Sequence, residues 1–298
     1  MFIALNGIYE PSAIQQLPDG RFLLAEDEKE SPFSLLTIRP DGSTMVERLI
    51  VDAEEGGPGK LDDLEGLAID SKGFIYAITS HSRNSKGEEK KSREKLVRFR
   101  IDGNRLVASH VAHDLKRNLA ARHPVLARAA VITDVKGDGG FNIEAIEFSA
   151  DQQHLMIGFR SPLDAGQALV AVIGNPSAMF EPGTAPDVAS ELIRLDLGGH
   201  GLRGMCWIPA LQAYLLISGP VAKEQTHFRL WFWSGEANAK PRQAEAEGLP
   251  GFEHAEGVTP AAIDGKARIL IVSDDGSREE GRYARYLLLD PEQIRILP

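Results

Sequence analysis

The stretch Leu61–Asn84, LDDLEGLAIDSKGFIYAITSHSRN, decides the fold, because the order of its parts recurs along the chain. An acidic lead-in ends at Glu65-Gly66, an apolar run follows, a Ser-Lys-Gly turn reverses the chain, and a second apolar run ends in a polar loop. Four further copies align with Glu65 at these positions: Pro11, Glu144, Arg203 and Glu256. A supersecondary unit that repeats in this way is the sequence signature of a propeller or a solenoid.

Each repeat holds apolar stretches of strand length between turns rich in Gly, Pro, Asp and Asn, which predicts a four-stranded antiparallel meander. Five units predict an all-β propeller of five blades, formed by residues 1–298 as one domain, with six blades as the alternative. The last unit lacks a clear fourth strand. Either the tail Ile294–Leu297 supplies this strand, or the N-terminal Phe2–Leu5 supplies it and closes the ring with both chain ends.

Two segments interrupt the repeat. Residues 114–132 are rich in Ala, Leu and Arg, so we predict a helical insertion in which Pro124 starts or kinks a turn. We expect it to lie across one face of the propeller. The loop Ser80–Lys95 is long and strongly charged, as functional or mobile loops often are.

Composition restricts the function classes. The chain of 298 residues has 43 acidic against 33 basic residues and a net charge of -10, which argues against a general nucleic-acid surface. The basic run Lys90–Arg93 has no interleaved aromatic residues for base stacking, so we interpret it as a solvated loop. Cys206 is the single cysteine, and MFIALNGIYE resembles neither a signal peptide nor a membrane span. These features predict a cytoplasmic protein without a membrane or nucleic-acid partner.

The residues that open the repeats are candidates for chemistry, because the first strand of each propeller blade lines the central channel. Glu65, Glu144 and Glu256 would face one funnel, interrupted by Arg203 and Pro11. Carboxylates grouped in this way are ligands that Ca²⁺ or Mg²⁺ prefers, and they can also act as general bases. The alternative is structural: each Glu accepts hydrogen bonds from the next blade, and Arg203 neutralises the ring. Both interpretations stay open at this point.

The loops that follow the second strands should open onto the same face, and they are polar in every unit. Arg83, Arg160 and Arg203 could bind a phosphate or carboxylate group, since guanidinium forks match those anions. His81 could transfer protons near neutral pH. We therefore predict a binding site for a small anionic molecule with these further members: Asn84, Asp274 and Asp275.

Several stretches together resemble a known family. DLEGLA, SHSRNSKG, NIEAIEF with GFRSPL, LDLGGHGLRGMCWIP with ISGP, and HAEGVT with SDDG are similar to the uncharacterised bacterial family called domain of unknown function 3616. This resemblance implies a β-propeller and no established activity. The repeated Glu-Gly starts are more weakly similar to esterase-like phytases and gluconolactonase-type propellers, in which a Glu such as Glu65 or Glu256 would be a metal ligand.

Two functions of different class are compatible with these observations. The first is a hydrolase of a small anionic ester, lactone or phosphoester, assisted by a divalent cation, with Glu144 or His81 moving protons. The second is a propeller that binds a ligand or partner without chemistry. One propeller architecture hosts both classes, so the fold cannot decide between them.

Overall fold

A computed structural model describes residues 2–26, 32–51, 57–222, 228–246 and 254–297 of the chain. These residues form five antiparallel sheets, which confirms the predicted five-bladed propeller. The strands, in chain order, have these bounds: β1 Ile3–Ala4, β2 Pro11–Gln16, β3 Phe22–Glu26, β4 Phe33–Ile38, β5 Thr44–Arg48, β6 Leu64–Ile69, β7 Ile75–Thr79, β8 Leu96–Asp102, β9 Arg105–Ala112, β10 Asn142–Phe148, β11 Leu155–Ser161, β12 Ala168–Ile173, β13 Ile193–Leu195, β14 Gly201–Ile208, β15 Ala213–Gly219, β16 Arg229–Trp233, β17 Arg242–Ala246, β18 Ala255–Ile263, β19 Lys266–Ser273, β20 Arg285–Leu289 and β21 Ile294–Ile296.

The turn inside the repeating unit shows why the sequence folds in this way locally. Between β6 and β7, Asp70 Oδ1 accepts hydrogen bonds from the backbone N–H groups of Lys72 at 2.9 Å and Phe74 at 2.8 Å. Gly73 adopts φ 78° in this turn, a backbone conformation that other residues rarely adopt. The Asp side chain and the glycine together bring β7 back antiparallel to β6.

Both chain ends form strands of blades. The structure shows which of them completes the last blade. The N-terminal β1 pairs with β20, where Ile3 faces Tyr286, so the fifth blade has the order β1-β20-β19-β18. The C-terminal β21 pairs instead with β17 as a fifth strand of the fourth blade. The last blade is therefore shared between the two chain ends, and both termini cover sheet edges.

The core consists of apolar clusters between neighbouring blades. Five clusters of buried side chains lie at the five blade interfaces, including the interface between the last blade and the first, as Leu270 and Leu24 show. The inner strands contact one another in the cyclic order β2, β6, β10, β14, β18 and again β2. Because every blade is flanked on both sides, these contacts close the ring.

The helical insertion is confirmed. It contains α1 Leu115–Arg122 and α2 Pro124–Ala130, and a further short helix, α3 Val135–Asp138, follows the predicted residues 114–132. Leu119 and Leu126 are completely buried against the core between the second and third blades, which fixes the insertion at one side of the ring. Pro124 stands in the first turn of α2, where its missing N–H is not needed. No helix in the described part of the chain is long and apolar enough to cross a membrane.

Candidate functional site

A β-bulge at the same place in all five inner strands builds the floor of the site. In each strand one residue is skipped by the regular pairing with the second strand, and these residues are Ser12, Glu65, Glu144, Arg203 and Glu256. A bulge turns a side chain away from the regular pleat and is common beside active sites. The sequence alignment placed Pro11 in this ring, which was wrong by one residue, because Pro11 pairs regularly with Glu26 and Ser12 is the bulged residue.

The residue after each bulge is small, since the inner strands approach one another closely there. A Cβ added to Gly204 would lie 2.2 Å from the carbonyl oxygen of Glu256 on the next blade. A Cβ added to Gly66 would lie 2.8 Å from a methyl group of Ile146. Such distances are far below a normal van der Waals contact. The Glu-Gly pairs of the repeat therefore combine a bulged acid with a glycine that permits tight contact between blades.

All five bulged residues line one open cavity of about 1060 Å³. Of the other predicted site residues, Arg83, Asn84, Arg160 and Asp274 also line it. The repeat therefore does bring the predicted acids and arginines together at one end of the channel. Four of the bulged residues carry charge, and these charges lie within one cavity instead of being spread over the surface.

Glu144 is the centre of a hydrogen-bonded network on the floor. Its Oε1 accepts from Asn142 Nδ2 at 2.8 Å and from Arg160 Nη1 at 3.1 Å, while its Oε2 lies 2.8 Å from Arg203 Nη1. Arg203 also contacts Glu256 through Nη2. Arg203 on the fourth blade therefore links the acids of the third and fifth blades. These are charge-assisted contacts of the kind that fix both partners in place.

Two polar atoms of this network are shielded from water and have no hydrogen-bond partner among the described residues: Asn142 Oδ1 and Arg203 Nε. Burial lowers the pKa of Arg203, and the nearby Glu144 opposes this shift. The guanidinium nevertheless stays protonated at any physiological pH. An unpaired buried polar atom costs about 1–3 kcal/mol, and its presence in a native structure calls for a partner such as a ligand or a water molecule.

His81 does not lie in the cavity, although the sequence analysis assigned it proton transfer. It is 1% exposed, and its Nδ1 lies 2.8 Å from the carbonyl oxygen of Thr79. Its backbone is left-handed, with φ 54°. Burial lowers the pKa of His81 to about 4, so the ring is neutral at physiological pH. The structure gives this histidine the surroundings of a core residue.

Asp275 also lies outside the cavity. Its carboxylate accepts from Arg285 Nε at 2.6 Å and from Ser273 Oγ at 2.6 Å. The backbone carbonyl of Asp275 accepts a further hydrogen bond from Arg282. These contacts fix the end of β19 and the loop behind it, while the neighbouring Asp274 faces the site.

Arg83 and Asn84 form part of the cavity wall and mainly stabilise their own loop. Arg83 donates to the carbonyl oxygen of Gly87 at 3.0 Å and to Glu89 at 2.9 Å. Asn84 Oδ1 accepts from two backbone N–H groups of the same loop, those of Lys86 and Glu88, both at 2.9 Å. The long loop is thus ordered by its own hydrogen bonds. Both side chains have contacts that an incoming ligand would have to share.

The sequence analysis missed an acid–arginine pair on the second blade. Asp63 contacts Arg93, and Arg93 Nη2 also donates to Ser82 Oγ at 2.9 Å. All three residues line the cavity. The basic run Lys90–Arg93 was interpreted as a solvated loop, but its last member turns back into the site. No spacing in the sequence predicts this, because the pairing depends on a 3₁₀ turn 30 residues after Asp63.

Further wall residues come from the segment that follows the predicted insertion 114–132 and from the first blade. Thr133, Asp134 and Gly137 line the cavity, as does Lys86 of the long loop. Glu10, just before the first inner strand, also lines it. The insertion itself packs against the core of the ring, and the segment directly after it contributes to the site.

The carboxylates on the floor are not grouped as metal ligands. Within the ranges that the structure describes, no group of three or more His, Cys, Asp or Glu side chains could hold a metal ion. The guanidinium of Arg203 contacts both Glu144 and Glu256. Two of the three carboxylates that the sequence suggested for Ca²⁺ or Mg²⁺ are thus paired with arginine, and no step below uses a metal.

Fold and site together define a five-bladed β-propeller with a charged cavity at one end of its channel. The family model described as "Protein of unknown function (DUF3616)" matches residues 129–290, more than half of the chain. The protein belongs to this family, as the sequence motifs predicted. No curated protein matches the chain.

Several solved structures are similar to the chain at low sequence identity. A family 43 β-1,3-galactosidase with bound galactodeoxynojirimycin is 12% identical, with a TM-score of 0.50 over 99% of this chain and 98% of its own. A Thermus thermophilus protein described as a putative glucose dehydrogenase is 17% identical, with a TM-score of 0.48 over 97% and 99%. The PQQ-bound aldose sugar dehydrogenase of Streptomyces coelicolor is 14% identical, with a TM-score of 0.44 over 97% and 98%. The similarity to the galactosidase concerns the fold alone.

Proposed function

We propose that the protein binds a small molecule with an anionic group in the cavity at the channel mouth, and that Arg160 and Arg203 hold this group. The observation that supports the proposal is the shared bulge: all five inner strands leave regular pairing at a position that faces the cavity, and four of the five residues there are charged. Apolar clusters already join all five blades, so cohesion of the ring does not require this arrangement.

Arg160 is the better-placed cation for an anionic group. Its Nε donates to the carbonyl oxygen of Pro220 at 3.0 Å and its Nη1 to Glu144, which holds the side chain in one orientation. Its Nη2 has no hydrogen-bond partner within the described part of the chain. A guanidinium that is already fixed loses little conformational entropy when it binds an anion.

A second candidate function is hydrolysis of an ester, lactone or phosphoester in the same cavity. It is supported by the alternation of acids and guanidinium groups on one floor, as in Glu144, Arg203 and Glu256. A carboxylate can accept a proton from attacking water, and a guanidinium can stabilise the oxyanion that develops on the substrate. His81 has no part in this proposal because it lies outside the cavity.

The binding proposal is tested by titrating the full chain with inorganic phosphate in a calorimeter. We expect one site in the wild type and at least a tenfold weaker site in Arg160→Gln. Arg194→Gln is the matched control, since Arg194 forms an exposed ion pair with Asp164 at 2.9 Å and does not line the cavity. Absence of phosphate binding, or equal loss in both variants, would refute the proposal.

Hydrolysis is tested in the same preparations with p-nitrophenyl phosphate and p-nitrophenyl acetate. The wild type should then hydrolyse a probe, and Glu144→Gln should lose this activity while it still binds phosphate. That result would show that the residues of the cavity floor catalyse hydrolysis. No turnover together with intact phosphate binding would leave a binding protein without catalysis.

A further inference from the structure

The cavity floor contains a buried hydrogen-bond acceptor that an anion cannot satisfy. Asn142 is 6% exposed and lines the cavity, and its Nδ2 donates to Glu144 at 2.8 Å. A carboxylate cannot donate to an amide oxygen, so this contact fixes the orientation of the amide. Oδ1 is thereby left as a buried acceptor without a partner among the described residues.

The net charge of the cavity also indicates a ligand with a positive group. Among the described lining residues, carboxylates outnumber cationic groups by seven to five. One of the five cations, Arg83, contacts Glu89, which does not line the cavity. A purely anionic ligand would add to this excess of negative charge, whereas a ligand with a positive group would reduce it.

We propose that the ligand is zwitterionic and that, besides its anionic group, it carries a primary ammonium group that donates to Asn142 Oδ1. This inference rests on the proposed function and narrows its ligand class. An ammonium group has three donors and a full positive charge, so it can satisfy the amide oxygen and neighbouring carboxylates together. A neutral hydroxyl has one donor and leaves the charge excess unchanged.

The test compares two probes of nearly equal shape, phosphoethanolamine and n-propyl phosphate. The first ends in an ammonium group where the second ends in a methyl group. Calorimetry on the full-length wild type should show at least a tenfold preference for phosphoethanolamine. In Asn142→Leu the preference should fall to nearly one, because the acceptor is lost. In Asn142→Asp it should persist, because an acceptor oxygen remains at the same place.

The outcomes separate this inference from the function on which it rests. Equal affinity for both probes in the wild type would overturn the ammonium site and leave the anion site standing. Binding of neither probe would refute the proposed function itself. Should Asn142→Leu not fold, Asn142→Ala removes the same acceptor with a smaller side chain, and an unchanged preference there would overturn the inference. Calcium chloride alone binding in the wild type and not in Asn142→Leu would also overturn it, since the partner of the amide would then be a metal.

Discussion

A buried carboxyl away from the cavity should make the stability of the protein depend on pH in a defined direction. Glu147 lies on β10, is 6% exposed, and accepts hydrogen bonds from the backbone N–H groups of Phe148 at 2.6 Å and Trp207 at 3.1 Å. Burial raises the pKa of Glu147 from 4.5 to about 7, against the opposing effect of its hydrogen bonds. The two hydrogen bonds thus do not fully replace water around the charged form.

The sign and size of the effect follow from proton linkage. Below pH 4.5 the carboxyl is protonated in both the folded and the unfolded state, so stability is highest there with respect to this group. Between pH 4.5 and 7 the unfolded chain releases the proton while the folded protein keeps it. The free energy of unfolding then falls by about 1.4 kcal/mol per pH unit, or about 3 kcal/mol in all.

The assay is urea unfolding followed by tryptophan fluorescence between pH 4.5 and 8, on the wild type and on Glu147→Gln. The glutamine lacks the charge but can accept only one of the two backbone N–H groups, so at pH 4.5 the variant should be about 1–3 kcal/mol less stable. As the pH rises to 8, the wild type should lose about 3 kcal/mol relative to the variant, so the variant becomes as stable as the wild type or more stable. Other titrating groups are common to both proteins and cancel in the difference.

Glu47→Gln serves as the control, because Glu47 is exposed on β5. Its difference from the wild type should stay constant over the same pH range. A constant difference for Glu147→Gln as well would refute the argument, since it would mean that Glu147 titrates alike in the folded and unfolded chains.

Three further predictions test other parts of the molecule. The pKa of His81 is lowered from 6.5 to about 4, so its contribution to stability should be lost as the pH falls from 6.5 to 4, by about 3 kcal/mol, and this loss should be absent from urea unfolding of His81→Asn. Deletion of residues 1–6 should lower the midpoint of thermal unfolding because β20 loses its partner strand, and an unchanged midpoint would contradict the shared last blade. Arg203→Gln should cost about 3–5 kcal/mol in urea unfolding because Glu144 and Glu256 lose their common partner, whereas Arg194→Gln should change stability by less than about 1 kcal/mol.

The blade number could be predicted from the sequence because the repeat is carried by local features: Asp-Gly turns, strand-length apolar runs and the small residue after each bulge. The way in which the two chain ends close the ring could not be predicted from the sequence. Phe2–Leu5 and Ile294–Leu297 are both short and apolar, and their local patterns suit either edge. The choice depends on which sheet edge each end meets in the closed ring, and that is a long-range property.

The site was predictable to the extent that it repeats. Glu65, Glu144, Arg203 and Glu256 stand at equivalent points of a recurring unit, so the sequence alone brought them together. Pro11 was predicted at the position that Ser12 occupies, because a bulge shifts the side-chain alternation by one residue. Such a shift is not visible in the hydrophobic periodicity of the sequence. The position of His81 was predicted wrongly for a related reason. His81 is next to cavity residues in the chain, but its backbone is left-handed and its side chain is buried.

The ring of charges serves two roles that are often treated as alternatives. Arg203 joins the acids of the two blades beside its own, as structural contacts would, yet buried ion pairs are poor sources of net stability because their desolvation offsets their attraction. The apolar clusters between blades supply the cohesion that the ring would otherwise have to provide. What the ion pairs do supply is fixed position: they hold Glu144 and Arg160 in one orientation at the edge of an open cavity. We therefore interpret the structural contacts as the means by which the site would be preorganised for the ligand that we propose.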